Sequence, residues 1–524
     1  MLLHELALDP AAAPDSAPAL VTMDGTWSRG DLRAAVADLA RAASTVTRPG
    51  GRVAIVSDSR PEVVALLLAV PAAGRVAVPI NVRLTPDEVV GQLDRTGVEA
   101  VVGTEEELDR LAGVLPEAAT LVTRVGLDPG AGDISLESLA AAPAPALTDP
   151  PGPDDPAWII ATSGTTGTAK GAVLTARSLG AAVATTAAAR PLAEDEVYLY
   201  PFPLYHVSVY NVLHALSRGR PVVLPRRFDA ATICALAEAH RVTAMSLAPT
   251  MLRLLLDHRA AQDDSATVLA DLRTVAYGAA PMPPALLAEA DEALGVAFAQ
   301  GYGMTELSGN AVFLGPDDHR RGLAGETHLL GAAGRPGPGV ELRIVDDRGG
   351  SVAPGGRGEV CVRAAQVCAG YWRDPTATQA AIRDGWMHTG DVGVIDGEGV
   401  LTIVDRAKDI IVTGGENVAS REVEDVIGQH PAVSRVAVVG VPDDRWGEAV
   451  CAVLVLRPGT GHDAATVRAE VLEVARTRLA GFKVPKRVVL ADDLPVNAGG
   501  KVVKADLRRQ LAGRPAGASG SGAA

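Results

Sequence analysis

The chain has few aromatic residues, few cysteines and no long apolar segment, and each shortage excludes a class of protein. Aromatic residues make up only 3% of the 524 residues, so the core must be built mainly from alanine, valine and leucine. Four widely spaced cysteines exclude a disulfide-rich scaffold and offer no zinc-like pair, and we expect them to be small buried side chains in a reducing compartment. No apolar run approaches the roughly 20 residues that a membrane span needs.

Basic residues are also in the minority. The formal net charge is −15, which argues against a nucleic-acid partner because that affinity usually comes from basic patches. The segment Met1–Leu6 lacks a basic stretch followed by a long apolar one, so we expect no signal peptide and a cytoplasmic protein. A length of 524 residues is enough for two or three domains.

Apolar strands alternate with Ala- and Leu-rich helices over most of the chain. Residues 52–56 and 76–80 are predicted to form buried strands, and Pro61–Val70 a helix that begins at a proline. This alternation predicts an α/β fold in which helices cover mostly parallel sheets. Residues 116–156 are rich in Pro, Ala, Asp and Gly and predict a surface excursion.

The pattern changes toward the C-terminus. Shorter strands and turn signals over residues 331–404 predict a small β-barrel-like subdomain. We place a domain boundary after residue 405, so that residues 1–405 form a large N-terminal domain and residues 406–511 a small α+β domain. The composition of residues 512–524 predicts a flexible tail.

A segment rich in glycine and hydroxyl residues runs from Thr162 to Gly171 and includes Lys170. Glycines let backbone N–H groups approach a ligand closely, and hydroxyls with a cation suit phosphate oxygens. The spacing does not match the Walker A pattern. Taken alone, the segment is either a phosphate loop of another family or a flexible linker.

Four further segments decide between these readings, because they follow in a fixed order: 301–306, 386–391, 405–417 and 499–501. Together with the first loop they resemble the signature motifs of the adenylate-forming superfamily, which contains acyl-CoA synthetases, adenylation domains of nonribosomal peptide synthetases, and luciferases. The resemblance extends from Thr26 to Lys501. It implies that a carboxylate reacts with ATP to give an acyl-adenylate and pyrophosphate, and that a thiol then displaces AMP.

The resemblance implies ATP, Mg²⁺ and coenzyme A as cofactors, and it gives each matching residue a role. Lys501 bridges the substrate carboxylate and the α-phosphate, Thr305 contacts the α-phosphate, and Glu306 helps to hold Mg²⁺. His206 stands where an aromatic residue gates the acyl pocket, and Lys408 is the hinge about which a mobile C-terminal domain rotates. The resemblance assigns binding of the nucleotide and of CoA to the following residues: Thr162, Ser163, Gly164, Thr165, Thr166, Gly167, Lys170, Gly278, Ala279, Ala280, Tyr302, Gly303, Asp391, Arg406, Gly414 and Gly415.

Within this set, the resemblance implies that Tyr302 stacks on adenine and that residues 278–280 form the loop on the adenine side. Asp391 can accept hydrogen bonds from both ribose hydroxyls, and Arg406 can reach the ribose or the phosphates. Residues 414–415 would leave space for the pantetheine arm of the incoming thiol.

Two positions depart from the superfamily's usual pattern. Ala169 stands where a proline usually precedes the lysine, and Gly499 stands where a threonine is usual. Lys504 competes with Lys501 for the catalytic role, and we interpret it as a surface charge.

The segments predicted to form the acyl pocket are 206–211, 245–248, 277–279, 301–303 and 308–312. They carry no acidic or basic side chain apart from His206, and a buried unpaired charge would be costly. We therefore expect a medium-chain or aromatic monocarboxylate whose acyl group carries no charge. Gly301 and Gly303 are expected to leave room for it, and Tyr205, Tyr210 and Tyr277 are available to bind a polar substituent.

Three alternatives to an acyl-CoA synthetase stay open. The acceptor of the acyl group is a carrier-protein phosphopantetheine in the first and an amine or another group in the second. In the third, the chain is a catalytically silent nucleotide-binding protein. A comparison of CoA with a holo carrier protein separates the first from CoA transfer. Retention of the predicted site residues argues against the third: Lys170, Glu306, Asp391, Arg406 and Lys501.

Overall fold

The computed structural model describes residues 1–115, 123–128, 130–141, 150–162, 170–261, 269–406, 409–413, 416–443, 446–458, 463–496 and 502–512. The chain divides into two compact units: residues 1–342 with 361–388, and residues 343–360 with 389–524. The predicted boundary after residue 405 falls inside the second unit and stays a prediction. Among the described residues, no helix combines the length and the apolar character needed to cross a membrane.

The first unit contains two large sheets, with strands and helices numbered in chain order. The larger sheet comprises β1 (Pro18–Thr22), β2 (Gly25–Ser28), β10 (Tyr198–Leu199), β11 (Val222–Val223), β12 (Ala244–Leu247), β13 (Thr274–Gly278), β14 (Ala297–Met304), β15 (Gly309–Leu314) and β16 (Arg335–Pro336). Its order is β16-β15-β14-β13-β12-β10-β11-β1-β2. The strands from β14 to β1 pair in parallel, and the pairs at both edges are antiparallel.

The second large sheet comprises β3 (Arg52–Val56), β4 (Val76–Pro79), β5 (Ala100–Gly103), β6 (Thr123–Gly126), β7 (Ile134–Ser135), β8 (Pro156–Thr162) and β9 (Lys170–Thr175). Its order is β7-β6-β5-β3-β4-β8-β9, and only the β8–β9 pair is antiparallel. β3, β4 and β5 are buried along their whole length, as expected of strands covered on both faces. The segment predicted to be a surface excursion, residues 116–156, contains two strands of this sheet, β6 and β7. Strand β6 pairs in parallel with β5 and so extends the sheet.

The helices of this unit pack against the sheets. They are α1 (Leu3–Ala7), α2 (Arg29–Val46), α3 (Pro61–Ala72), α4 (Pro86–Thr96), α5 (Glu105–Leu111), α6 (Leu136–Ala141), α7 (Ala176–Ala189), α8 (Tyr210–Ser217), α9 (Ala230–Ala239), α10 (Pro249–Ala260), α11 (Pro284–Leu294), α12 (Pro316–Leu323) and α13 (Pro375–Ala381). Helix α4 shows why such segments form where they do. The hydroxyl of Thr85 accepts a hydrogen bond from the Glu88 N–H at its start, Pro86 occupies the first turn, and Gly97 ends it with φ 66°.

The boundaries between the two units fall within strands of a smaller sheet. It comprises β17 (Val340–Val345), β18 (Arg357–Ala364), β19 (Ile382–Arg383), β20 (Trp386–Ile395) and β21 (Leu401–Arg406). Its order is β17-β18-β20-β19, with β21 paired to β20. These strands form the predicted small β subdomain.

The second unit also contains a sheet of its own, with β22 (Ile411–Thr413), β23 (Glu416–Val418), β24 (Val433–Asp443), β25 (Gly447–Leu456) and β26 (Arg487–Leu490). Its helices are α14 (Ser420–Ile427), α15 (Ala464–Arg478) and α16 (Lys504–Ala512). Apolar side chains of α14, α15 and the two long strands form a separate core. The predicted α/β class, with mostly parallel sheets, a small β subdomain and a C-terminal α+β part, is confirmed. All four cysteines are buried and form no disulfide, as expected.

Candidate active site

The two ends of the predicted phosphate loop lie side by side. Thr162 ends β8, Lys170 begins β9, and the two residues are in register in the antiparallel pair. The Thr162 hydroxyl donates a hydrogen bond of 3.4 Å to the Lys170 carbonyl. The loop residues Ser163, Gly164, Thr165, Thr166 and Gly167 lie outside the described residues.

Glu306 lies in the connection between β14 and β15. A short 3₁₀ turn, Thr305–Leu307, joins these antiparallel strands, and Ser308 closes it with a left-handed φ of 54°. The Gln366 amide donates hydrogen bonds to the carbonyls of Leu307 at 2.8 Å and Asn310 at 2.9 Å. The turn is therefore held from a distant part of the chain, and only 5% of the Glu306 surface is exposed.

The glycines beside Tyr302 serve close packing of the two strands. A Cβ on Gly301 would lie 2.0 Å from the Asn310 amide nitrogen, and a Cβ on Gly303 would lie 2.0 Å from the Gly309 carbonyl oxygen. The expectation that these glycines leave room for the acyl group is therefore wrong, because β15 occupies the space next to them.

A carboxylate, a phenol and an ammonium group form a row at this turn. The Tyr371 hydroxyl donates a hydrogen bond of 2.8 Å to Oε1 of Glu306, and Nζ of Lys170 lies 5.0 Å from the centre of the Tyr371 ring. Burial, followed by the charge of Glu306, raises the pKa of Tyr371 far above its usual value. Tyr371 therefore stays protonated and acts as a donor to the carboxylate.

Glu306 can take a metal ion through its second carboxylate oxygen. Within the described part of the chain, that oxygen has no hydrogen-bonding partner, and the Glu306 backbone carbonyl accepts from the Cys368 N–H at 2.8 Å. Mg²⁺ commonly binds one or two carboxylates together with substrate phosphates. A single buried carboxylate that Tyr371 links to Lys170, at the end of the predicted phosphate loop, fits that requirement.

The adenine-side segment is adjacent to the Tyr302 strand. Gly278 pairs with Gly301 in the parallel ladder of β13 and β14, and a Cβ on Gly278 would lie 2.7 Å from the Gly301 carbonyl oxygen. Ala279 follows with φ 65°, a backbone conformation that a non-glycine residue seldom adopts. The tertiary structure thus brings residues 278–280 next to the segment that contains Tyr302 and Thr305.

His206 precedes a 3₁₀ turn, Val207–Val209, and its ring lies edge-on to Tyr205 at 4.7 Å. Its Nε2 is buried and has no partner among the described residues. Burial, assisted by the charge of Arg83, lowers the pKa of His206 to about 4. The imidazole is therefore neutral at pH 7 and adds no charge to an acyl pocket.

Two of the three tyrosines expected to bind a polar substituent already have partners. The Tyr277 hydroxyl lies 2.8 Å from Nε2 of His319, and the Tyr210 hydroxyl accepts a hydrogen bond of 3.1 Å from Thr186. This partnering weakens the case for a polar substituent at those two residues.

Asp391, in the second unit, lies within β20 and pairs in register with Arg406 of β21. It is buried, and its N–H donates a hydrogen bond of 3.1 Å to the Thr389 hydroxyl. The pairing brings the two predicted nucleotide ligands of this unit to opposite positions on adjacent strands. The side chain of Arg406 and the residues Lys408, Gly414, Gly415 and Lys501 lie outside what the structure describes.

The interpretation of Lys504 as a free surface charge is wrong. Nζ of Lys504 lies 2.8 Å from a carboxylate oxygen of Glu424 and also donates to the hydroxyl of Ser420. Burial raises the pKa of Glu424, and the charge of Lys504 opposes that rise. Lys504 therefore holds α16 to α14, which leaves Lys501 as the better candidate for catalysis.

Sequence reasoning missed Tyr371 and Gln366. Both follow β18 and lie about 60 residues from the turn that they contact, so no local pattern connects them with Glu306. One signal was present: Tyr371 and Trp372 are adjacent aromatic residues in a chain with only 3% aromatics.

Two family models match the chain: the AMP-binding enzyme family over residues 8–372 and its C-terminal domain over residues 422–501. A feruloyl-CoA synthase from an Amycolatopsis species is 37% identical, with 88% of this chain and 89% of the relative covered. A fatty acid–[acyl-carrier-protein] ligase, ScoC of Streptomyces coeruleorubidus, is 35% identical, with 89% and 88% covered. The solved structure of the amide bond synthetase McbA from Marinactinospora thermotolerans superposes with a TM-score of 0.86 at 33% identity, covering 97% of this chain and 99% of that one.

Proposed function

The chain belongs to the family of AMP-binding enzymes, and we propose that it is an AMP-forming acyl-CoA synthetase. It activates a monocarboxylate with ATP and transfers the acyl group to the thiol of CoA. The row formed by Lys170, Tyr371 and Glu306 supports this proposal, because a cation and a carboxylate meet the same tyrosine at the end of the predicted phosphate loop. The similarity to feruloyl-CoA synthase supports CoA as the acceptor.

The first half-reaction converts a poor electrophile into a good one. A carboxylate oxygen of the substrate attacks the α-phosphorus, and the bond to the β-phosphate oxygen breaks, so that pyrophosphate leaves with the electron pair. Lys170 stabilises the negative charge of the phosphates, and Glu306 would hold Mg²⁺, which would supply further charge neutralisation when bound. Thr305 and Lys501 orient the α-phosphate and the carboxylate, while Asp391 and Arg406 fix the ribose.

The second half-reaction forms the thioester. The deprotonated sulfur of CoA attacks the acyl carbonyl carbon, and AMP leaves with the electrons of the bond to oxygen. We propose that rotation about Lys408 withdraws Lys501 and brings Gly414 and Gly415 to the site, so that one site serves both steps.

The proposed substrate class is a medium-chain or aromatic monocarboxylate whose acyl group carries no charge. The neutral state of His206 supports it. A charged group on the acyl part of a substrate would find no counter-charge among the described residues of the predicted acyl pocket. We further propose a cytoplasmic location, because four cysteines that form no disulfide suit a reducing compartment.

A carboxylate screen tests the proposal. Hexanoate, octanoate, benzoate, ferulate, malonate and free amino acids are each supplied with ATP and Mg²⁺, and pyrophosphate release is measured. CoA, a phosphopantetheinylated carrier protein and a set of amines then compete for the acyl-adenylate that forms. The proposal predicts acyl-CoA as the main product. A higher kcat/KM with the carrier protein or an amine would favour the activities of ScoC or McbA instead, and faster turnover of malonate or an amino acid would exclude the proposed substrate class.

A further inference from the structure

A cleft of about 270 Å³ opens beside the phosphate-loop lysine, within the first unit. It lies between the C-terminal half of α4, the β8–β9 pair and the segment that follows Tyr371. Its lining side chains include the cations Arg95, Lys170 and Arg373, the amide of Gln92, and the rings of Tyr371 and Trp372.

Positive charge predominates in this cleft. Among the described residues, Arg95, Lys170 and Arg373 have no carboxylate within ion-pair distance. One carboxylate, that of Asp374, also lines the cleft, and it accepts a hydrogen bond of 2.8 Å from the Ala377 N–H at the start of α13. Three cations therefore face a single carboxylate that is already hydrogen-bonded.

One of the lining residues, Gln92, carries a donor that is not satisfied. Gln92 is only 4% exposed, and its Nε2 is buried without a hydrogen-bonding partner in the described part of the chain. Such a group is costly unless a ligand or water accepts its hydrogen bonds. The ammonium and guanidinium groups supply donors only, and the Gln92 amide can add two more, so donors predominate in the lining, as a multiply charged oxyanion requires.

The walls hold these groups in place. The indole N–H of Trp372 donates a hydrogen bond of 3.0 Å to the Thr96 carbonyl, which fixes the ring against the end of α4. The guanidinium of Arg373 lies 5.7 Å from the centre of that ring, and Arg373 itself has a left-handed φ of 54°. A non-glycine residue in this conformation is strained unless its surroundings hold it there.

Lys170 belongs both to this cleft and to the row that ends at Glu306. From this shared lysine we infer that the cleft binds the inorganic pyrophosphate released by adenylation and receives it as it leaves the nucleotide site. The inference rests on the proposed function, since adenylation supplies the anion. The phosphates of CoA have the same chemistry, so the experiment has to separate the two sources.

Binding is measured first, without any carboxylate substrate. Pyrophosphate is titrated calorimetrically into the nucleotide-free protein and into the Arg95→Ala/Arg373→Ala double variant. We expect the Kd for pyrophosphate to rise about tenfold, as expected for the loss of partly exposed charged hydrogen bonds. Gln92→Leu should also weaken binding, and Arg227→Ala, at an exposed arginine outside the cleft, should leave the Kd unchanged.

Kinetics then identify the source of the anion. In ATP–pyrophosphate exchange the double variant should show a KM for pyrophosphate about tenfold higher, with the KM for ATP unchanged. Its KM for CoA, measured from supplied acyl-adenylate, should equal that of the wild type. An unchanged Kd for pyrophosphate would overturn the inference, and so would a rise confined to the KM for CoA. Failure of the proposed function looks different: the wild type would bind pyrophosphate but catalyse no exchange with any carboxylate.

Discussion

The hydroxyl of Tyr371 donates a 2.8 Å hydrogen bond to Glu306, a residue 65 positions earlier in the chain. The bond fixes one carboxylate oxygen and leaves the other for a ligand. Because Lys170 lies over the same tyrosine ring, the phenol also sets the distance between the cation and the carboxylate. Tyr371 is thus a positioning residue for the proposed adenylation step.

Removal of this hydroxyl in Tyr371→Phe should slow pyrophosphate release by about tenfold, because a hydrogen bond to a charged group contributes about 1.5–3 kcal/mol. The Mg²⁺ concentration for half-maximal rate should rise, since the carboxylate is no longer oriented. Rates are measured across a Mg²⁺ series. Thioester formation from supplied acyl-adenylate is the control, and an equal loss in both half-reactions would refute the positioning role.

Lys501→Ala should separate the two half-reactions. We expect adenylation to fall by about a hundredfold or more, because the lysine stabilises charge in that step alone. Thioester formation from supplied acyl-adenylate should stay within about twofold of the wild-type rate under the same stabilisation argument. Both rates are measured by rapid quench. A matched fall in both would show that Lys501 does not act in adenylation alone.

Lys504→Ala is the matched lysine variant, and it should affect stability instead. The substitution leaves the half-buried carboxylate of Glu424 with the Val438 N–H but without its cation, which costs about 2 kcal/mol of unfolding free energy at pH 8. Burial raises the pKa of Glu424, so the folded state binds a proton more readily than the unfolded state. The penalty should therefore shrink as the pH falls from 8 toward 5. Urea unfolding at both pH values checks this, and an equal penalty at both would contradict it.

His214 should make the first unit sensitive to acid. Its ring is buried, neither ring nitrogen has a partner among the described residues, and burial with the nearby charges of Arg190 and Arg218 lowers its pKa to about 3. The unfolded state therefore binds a proton that the folded state does not, and stability is lost as the pH falls below about 6.5. For one group this loss is about 2 kcal/mol between pH 7 and pH 5.

His214→Leu should remove that part of the pH dependence, and His328→Ala, at an exposed histidine, should not. The unfolding free energies of both variants are compared at pH 7 and pH 5. If His214→Leu keeps the full wild-type difference, His214 is not the group that titrates.

Gly303→Ala tests the close approach of β14 and β15. The new methyl group would lie 2.0 Å from the Gly309 carbonyl oxygen, so the strands must separate. We expect a loss of about 3 kcal/mol of unfolding free energy and a large loss of adenylation, since the turn that holds Glu306 would shift. Gly315→Ala has open space around it and serves as the control. A Gly303→Ala variant with wild-type stability would show that the strands can adapt.

Much of the fold could be predicted from the sequence because it depends on local periodicity. The strand at 52–56, the helix that begins at Pro61 and the strand that begins at Val76 form at the predicted starts, since apolar runs and a helix-starting proline act over a few residues. Strands β6 and β7 were missed, because pairing of β6 with β5 and of β7 with β6 compensates for a polar composition that by itself favours a loop.

For the site, the sequence by itself determined which chemical groups are present: the predicted phosphate loop, the acid at 306 and the aspartate at 391 stand in motifs whose order identifies the family. The tertiary structure alone decided how these groups are supported. Contacts between Tyr371 and Glu306, between Gln366 and the turn at 305–307, and between Lys504 and Glu424 join residues 59 to 80 positions apart. Hydrogen bonds and ion pairs of this kind form only where the folded chain brings distant side chains together. A local sequence pattern therefore does not predict them.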